Sequence, residues 1–159
     1  MAVLYLGLGS NLGNRSDILE KALDEIENSV GHIVARSDFY ETKPWGFQTD
    51  KCFLNACIGV ETYYSPLACL DKTQEIERKL GRKKKTRNGQ YSDRPIDIDL
   101  LLYDRLVVDS ERLTIPHPLL HLRAFVLKGL AEIAGAYEHP VLNKTIQELW
   151  EEIPQNSLL

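Results

Sequence analysis

Asp97 and Asp99 are the residues with the clearest chemistry in this chain, because the run Arg94-Pro-Ile-Asp-Ile-Asp-Leu-Leu-Leu-Tyr103 reads as a β-strand. Successive strand side chains point to opposite faces, so the two acids share one face while Ile96, Ile98, Leu100 and Leu102 form an apolar row on the other. The acidic face turns apolar again at Leu101 and Tyr103. Two carboxylates roughly 7 Å apart by strand rise repel each other unless a cation sits between them. Oxygen-only ligation of that kind suits Mg²⁺, above all when a phosphate completes the shell. An isolated Asp-x-Asp is more often a solvated patch, here neutralised by Arg94. Its context argues otherwise, since residues 82–94 hold six Lys or Arg against one Asp and lead straight into the acids. Cations beside carboxylates describe a metal-polyphosphate site. His117 belongs to the same chemistry: prolines on both sides make its segment rigid, and Arg112, His121 and Arg123 surround it in sequence, which favours a phosphate contact.

The chain has 159 residues and a formal net charge of −4, with 43% hydrophobic and 26% charged residues, ordinary values for one globular domain. Outside the basic segment, thirteen Lys or Arg face twenty-two Asp or Glu, so positive potential is local. A compact polyanion held at one place fits that asymmetry better than a nucleic-acid or membrane surface. No apolar run reaches a membrane span and no leader pattern opens the chain, so a cytoplasmic location is expected. Cys52, Cys57 and Cys69 lie in apolar stretches without metal-ligand spacing and read as small core residues.

The elements that must position these residues follow from periodicity and punctuation. Residues 3–9 form a strand, the Gly-rich 9–14 loop reads as a tight turn rather than a phosphate cradle, and Asn14 caps a helix with the stripe Leu19, Ala22, Leu23 and Ile26. Residues 32–41 make a second strand, followed by the aromatic-bearing loop 42–50 and a third strand, 53–62. On that strand Phe53, Asn55 and Cys57 face one way; Asn55 is either satisfied by neighbouring backbone or reads a ligand edge. Ser65-Pro66 starts a helix that Gly81 stops, and on it Gln74 and Glu77 share a side that is either merely wet or turned to the site. After the acidic strand come an extra hairpin, a helix at residues 124–134 and a last helix opened by a Thr145–Glu148 capping box. The order β-α-β-β-α-β implies an α+β fold with one sheet and both main helices on one face, in a single domain spanning residues 1–159.

Taken together, Gly9-Ser-Asn-Leu12, Phe39-Tyr-Glu-Thr42, Phe53-Leu-Asn-Ala56, Gln74-Glu-Ile-Glu77, Gly81-Arg82, Arg94-Pro-Ile-Asp-Ile-Asp-Leu100, Leu113-Thr-Ile-Pro-His117 and Arg123-Ala-Phe125 resemble the 6-hydroxymethyl-7,8-dihydropterin pyrophosphokinase family. The resemblance implies a ferredoxin-like core and transfer of the terminal diphosphate of ATP to a pterin hydroxymethyl group, with release of AMP. It implies two Mg²⁺ ions on Asp97 and Asp99. By the same resemblance Gln74, Glu77, Arg82, Lys84, Arg94, Leu100, Arg112, Thr114, His117 and Arg123 contact the nucleotide. Phe53 and Phe125 sandwich the pterin while Asn55, Thr42, Pro44 and Trp45 read its edge, and Asp97, Asp99, Arg82, Arg94 and His117 carry the catalysis. Lys84 stands where many members have arginine, a point charge in place of a bidentate fork. Pro118 replaces an aromatic residue of some members, and Tyr91 is the candidate for the family's loop aromatic. The expected partners are ATP and a reduced pterin, with no nucleic acid and no membrane, on a monomer. A ferredoxin-like nucleic-acid module is the rival from another class, and it would need aromatics and spread cations on the sheet instead of two acids.

Overall fold

The computed structural model describes residues 1–43, 51–82 and 94–154. The residues 44–50 and 83–93 expected to form two substrate loops lie outside them, and with them Pro44, Trp45, Lys84 and Tyr91.

The core is built from β1 (Ala2–Ser10), α1 (Arg15–Ser29), β2 (His32–Arg36), β3 (Tyr40–Thr42), β4 (Phe53–Thr62), α2 (Pro66–Lys79) and β5 (Asp97–Tyr103). Four strands lie in the order β2-β4-β1-β5, every pairing antiparallel, with β3 added along the far end of β4. This is the ferredoxin-like arrangement that the element order implies. Local chemistry sets the helix ends. The Asn14 side chain accepts from Asp17 N, Ser65 accepts from Ala68 N ahead of Pro66, and Gly81 takes the positive φ of 104° that ends α2. One face of the sheet buries Leu4, Leu6, Leu8, Ile58, Val60, Ile98 and Leu100 against Leu19, Ile26 and Ile76 of α1 and α2. Each such side chain contributes about 1.5–3 kcal/mol relative to exposure.

The C-terminal helices expected after the hairpin, α3 (Ala124–Ala134) and α4 (Ile146–Glu151), cover the opposite face, burying Leu127, Leu130, Ile146 and Leu149 over Cys57, Leu101 and Leu102. Two features depart from the sequence reading. The apolar row of β5 breaks. Tyr5 pairs with Leu102 but Leu6 with Leu100, so Leu101 is an inserted residue and the faces exchange beyond it. Leu102 therefore packs with Leu101 under α3, and Tyr103 turns to the α1–α2 side. Finally, the strand expected over residues 32–41 is two strands, because Ser37 replaces the ladder there. Its N–H donates to Cys57 O and its hydroxyl accepts from Cys57 N, each at 2.9 Å. The hairpin of β6 (Val108–Asp109) and β7 (Thr114–Ile115) follows β5 as expected. Cys57 and Cys69 are core residues, whereas Cys52 is exposed.

His139 fastens the connection between α3 and α4. It is buried, and its Nδ1 accepts from Val141 N at 3.2 Å and from Leu142 N at 3.1 Å. Burial, helped by the nearby His121, lowers its pKa below the ordinary 6.5. The unfolded chain therefore takes up a proton more readily than the folded one. The contribution of this histidine is complete above about pH 6.5 and is lost as pH falls through the lowered native value. Protonation fills the lone pair that both amides use. The thermal midpoint is expected to fall between pH 7 and 5 more steeply in the wild type than in His139→Asn. Parallel slopes by calorimetry would contradict this.

Candidate active site

β5 is an edge strand, and its open side is dressed by side chains that also shape the cleft. Ile98 N, between the two acids, donates to Glu77 Oε2 at 2.8 Å, and His117 N donates to Leu101 O at 2.9 Å. These bonds satisfy groups of β5 that no further strand pairs among the described residues. They also fix the acidic end of β5 against α2 and the His117 segment. Asp97 and Asp99 lie opposite Gly9 and Gly7 of β1, with side chains 20% and 25% exposed.

Three buried arginines face the acids. Arg82, just past the end of α2, donates through Nη1 to Asp97 Oδ1 at 2.6 Å and to Ile96 O at 3.1 Å, with Glu77 Oε2 at 3.4 Å. Arg94 Nη1 is 3.5 Å from Asp97 Oδ2, and Arg123 Nη1 is 4.0 Å from Asp99 Oδ2. Burial lowers the Arg94 pKa, which Asp97 and Asp99 oppose and Arg82 and Arg123 reinforce. The guanidinium of Arg94 lies 5.2 Å from the Phe53 ring centre and that of Arg123 5.6 Å from Phe125, so each ring also meets a cation.

Two cavities meet here. The larger, about 340 Å³, is lined by Thr42, Phe53, Asn55, Arg82, Arg94, Asp97, Asp99, Arg123 and Phe125. The second, about 270 Å³, is lined by Gln74, Leu100, Arg112 and Thr114. Asp99, His117 and Pro118 belong to both. The residues the resemblance assigns to pterin, Thr42, Phe53, Asn55 and Phe125, line the larger cavity together with Arg82, Arg94, His117 and Arg123 of its nucleotide set, whereas Gln74, Leu100, Arg112 and Thr114 of that set line the second. Arg112, on the outer side, pairs with Asp71. Pro118 gives both cavities an apolar wall where an aromatic residue was one alternative.

Asn55 has a side-chain partner, which neither of its two readings named, and it lines the larger cavity. Its Nδ2 donates to Thr42 Oγ1 at 2.5 Å, leaving the rest of the amide edge toward the larger cavity. His117 follows a cis Ile115–Pro116 bond, and its Nδ1 accepts from Leu119 N at 3.2 Å. The neutral ring then carries its proton on Nε2. Glu77 corrects an expectation: it is neither on the wet side of α2 nor on the cleft wall. It is 2% exposed, and its carboxylate is directed to Ile98 N and Arg82.

Asn11 was missed as a site residue. It is buried in the turn after β1, its Oδ1 accepts from Arg94 N at 2.7 Å, its N–H donates to Arg94 O at 3.1 Å, and its Nδ2 donates to Lys51 O at 3.2 Å. Only its position directly after a strand end, in a polar turn, hinted at this.

Among the described residues no group of three or more His, Cys, Asp or Glu stands ready to hold a metal ion. Among the described residues, Asp97 and Asp99 are the carboxylates lining the larger cavity, and Glu111 joins Asp99 in the second. Two hard oxygen ligands beside a cationic cleft fit Mg²⁺ shared with phosphate, and do not fit a dedicated protein cage.

A family model described as 7,8-dihydro-6-hydroxymethylpterin-pyrophosphokinase matches residues 5–135. The 2-amino-4-hydroxy-6-hydroxymethyldihydropteridine pyrophosphokinase of Porphyromonas gingivalis is 45% identical over 141 residues, covering 88% of this chain and 95% of that protein. The enzyme of the same name from Aquifex aeolicus is 38% identical over 158 residues, covering 99% and 94%. Among solved structures, Plasmodium falciparum HPPK-DHPS with pteroate superposes with a TM-score of 0.78 at 18% identity, a likeness of fold. It covers 95% of this chain, which spans 44% of that one.

Proposed function

Since the chain belongs to the 7,8-dihydro-6-hydroxymethylpterin-pyrophosphokinase family, we propose that the two adjoining cavities hold its two substrates and that the acid–arginine cluster between them is where the diphosphate moves. The reaction carries the diphosphate of ATP to the hydroxymethyl group of 6-hydroxymethyl-7,8-dihydropterin in folate biosynthesis, leaving AMP. The observation that carries the assignment of the site is that the acids and the three arginines line the cavity that holds Phe53 and Phe125, and that this cavity shares Asp99 and His117 with the one lined by Gln74, Arg112 and Thr114.

In this reading Phe53 and Phe125 stack the pterin, and Asn55 and Thr42 read its edge together with Pro44 and Trp45. A flat heterocycle needs both features, apolar faces and a few directed polar groups. Gln74, Leu100, Arg112 and Thr114 receive the nucleoside, and Glu77 serves by holding Arg82 and Ile98. Two Mg²⁺ ions shared by Asp97, Asp99 and the phosphates would neutralise charge and make the hydroxyl a better nucleophile. Arg82, Arg94, Arg123 and Lys84 bind the triphosphate. The first three lie against carboxylates, so phosphate contacts to them would compete with arginine–carboxylate pairs. His117 donates its Nε2–H to a phosphate oxygen. Phosphoryl transfer asks mainly for alignment and charge neutralisation, which these groups supply without covalent chemistry of their own. Residues 42–50 and 82–94 are the segments proposed to exclude water, with ATP binding first.

We read residues 1–159 as one domain acting as a cytoplasmic monomer without nucleic-acid or membrane partners; among the described residues no helix is long and apolar enough to cross a membrane. Phosphorus NMR of a reaction of ATP, Mg²⁺ and the reduced pterin should show AMP and a pterin diphosphate as products. With Mn²⁺ replacing Mg²⁺, the carboxylate resonances of Asp97 and Asp99 should broaden. Sharp signals from both would place the metals elsewhere.

A further inference from the structure

Tyr40 sits in the Phe39-Tyr-Glu-Thr42 signature, yet neither the chemistry of the cleft nor the resemblance gives it a task. It is 9% exposed and lines the larger cavity from β3, where it pairs with Asn55 while Thr42 pairs with Phe53. Its hydroxyl crosses to the other wall and donates to the carbonyl oxygen of Phe125, the second residue of α3. We propose that Tyr40 is a positioning residue that sets the gap between Phe53 and Phe125, and so the affinity for the flat substrate. The inference rests on those two rings being the pterin clamp.

The contact is built into the packing. Beside it Cys57 Sγ lies 3.6 Å from Val126 O and 3.9 Å from the Tyr40 hydroxyl, so two side chains from the sheet reach consecutive carbonyls at the start of α3. Both enter the helix surface at Gly129. A Cβ there would stand 2.5 Å from the Tyr40 hydroxyl oxygen and 2.7 Å from Cys57 Sγ, separations that real side chains do not adopt. The seat needs a residue without a side chain. Tyr40 thereby joins the strand pair that carries Thr42, Phe53 and Asn55 to the helix that carries Phe125. Burial raises the phenol pKa, so the hydroxyl stays a donor. The second cavity has no Tyr40 in its wall, so the effect belongs to the pterin and not to the nucleotide.

The test measures binding of the reduced pterin, by its fluorescence, in the presence of a nonhydrolysable ATP analogue, and binding of the analogue separately. Tyr40→Phe keeps the ring and removes the strut. It should weaken pterin binding about fivefold, the order of one lost hydrogen bond, and leave analogue binding within about twofold of wild type. Phe125→Ala is measured beside it. Unchanged pterin binding by Tyr40→Phe, with strong loss in Phe125→Ala, overturns the inference alone. Unchanged binding by Phe125→Ala overturns the clamp and the inference with it. Equal loss of pterin and analogue binding in Tyr40→Phe marks general loosening and also overturns it. Gly129→Ala keeps the hydroxyl group but forces it from its seat, and serves the same test where Tyr40→Phe yields no folded protein. A selective loss of pterin affinity is expected there too, and wild-type affinity refutes the proposal.

Discussion

Asp97→Ala is expected to lower AMP formation by about 10³-fold or more, the scale of removing a preorganised electrostatic anchor from a water-excluded site. The structure adds a cost that the sequence did not disclose. Asp97 accepts from Arg82 at 2.6 Å and lies 3.5 Å from Arg94, so alanine there removes a carboxylate that two buried guanidiniums face. Loss of a charge-assisted bond of this kind costs about 1.5–3 kcal/mol. Part of any loss of activity in Asp97→Ala could then be blamed on lowered stability. Asp97→Asn separates the two effects, because the amide oxygen still accepts from Arg82 while the charge proposed to hold a metal is gone. Stability should recover most of its value and turnover should not. Denaturant titration beside an AMP assay makes the comparison, and near-normal AMP release by the asparagine variant would remove Asp97 from the metal site. Asp99, whose arginine is 4.0 Å away, should show a smaller stability loss with alanine.

How much of this was visible in the residues depended on whether a pattern admitted one solution. The bounds of β4 and β5 and the caps of α1, α2 and α4 follow from alternation and from single residues with one physical use, such as Asn14, Ser65 and Thr145. The bulge in β5 was hidden because Leu100, Leu101 and Leu102 are all apolar, so either register buries the same chemistry. The break at Ser37 was hidden because its hydroxyl and amide imitate a strand's own pairing with Cys57. The acids and the arginines could be nominated from type and order, and the two rings only through the family resemblance. Asn11 could not, since its role depends on Arg94 returning to it across more than eighty residues of chain. Nor could the strut from Tyr40, which needs both the missing side chain at Gly129 and the second helical layer to exist.

Glu77 gives the second large effect, and it discriminates between two jobs for one carboxylate. As a nucleotide contact, which is how the resemblance uses it, Glu77→Gln would raise the KM for ATP and leave stability alone. As the anchor that the packing favours, it holds the outward N–H of Ile98 between Asp97 and Asp99 and balances Arg82 in a place only 2% exposed. Loss of a hydrogen bond to a charged group costs about 1.5–3 kcal/mol, and here the amide of Ile98 is buried with it. Glu77→Ala is therefore expected to lose stability on that scale and to slacken the strand segment that carries both acids. Glu77→Gln keeps an oxygen for Ile98 N and should lose less than half as much. In the glutamine variant kcat should fall, because Asp97, Arg82 and β5 lose their common brace, while the KM for ATP stays within about twofold. A glutamine variant with wild-type stability and a KM for ATP raised tenfold would return Glu77 to the wall of the nucleotide cavity.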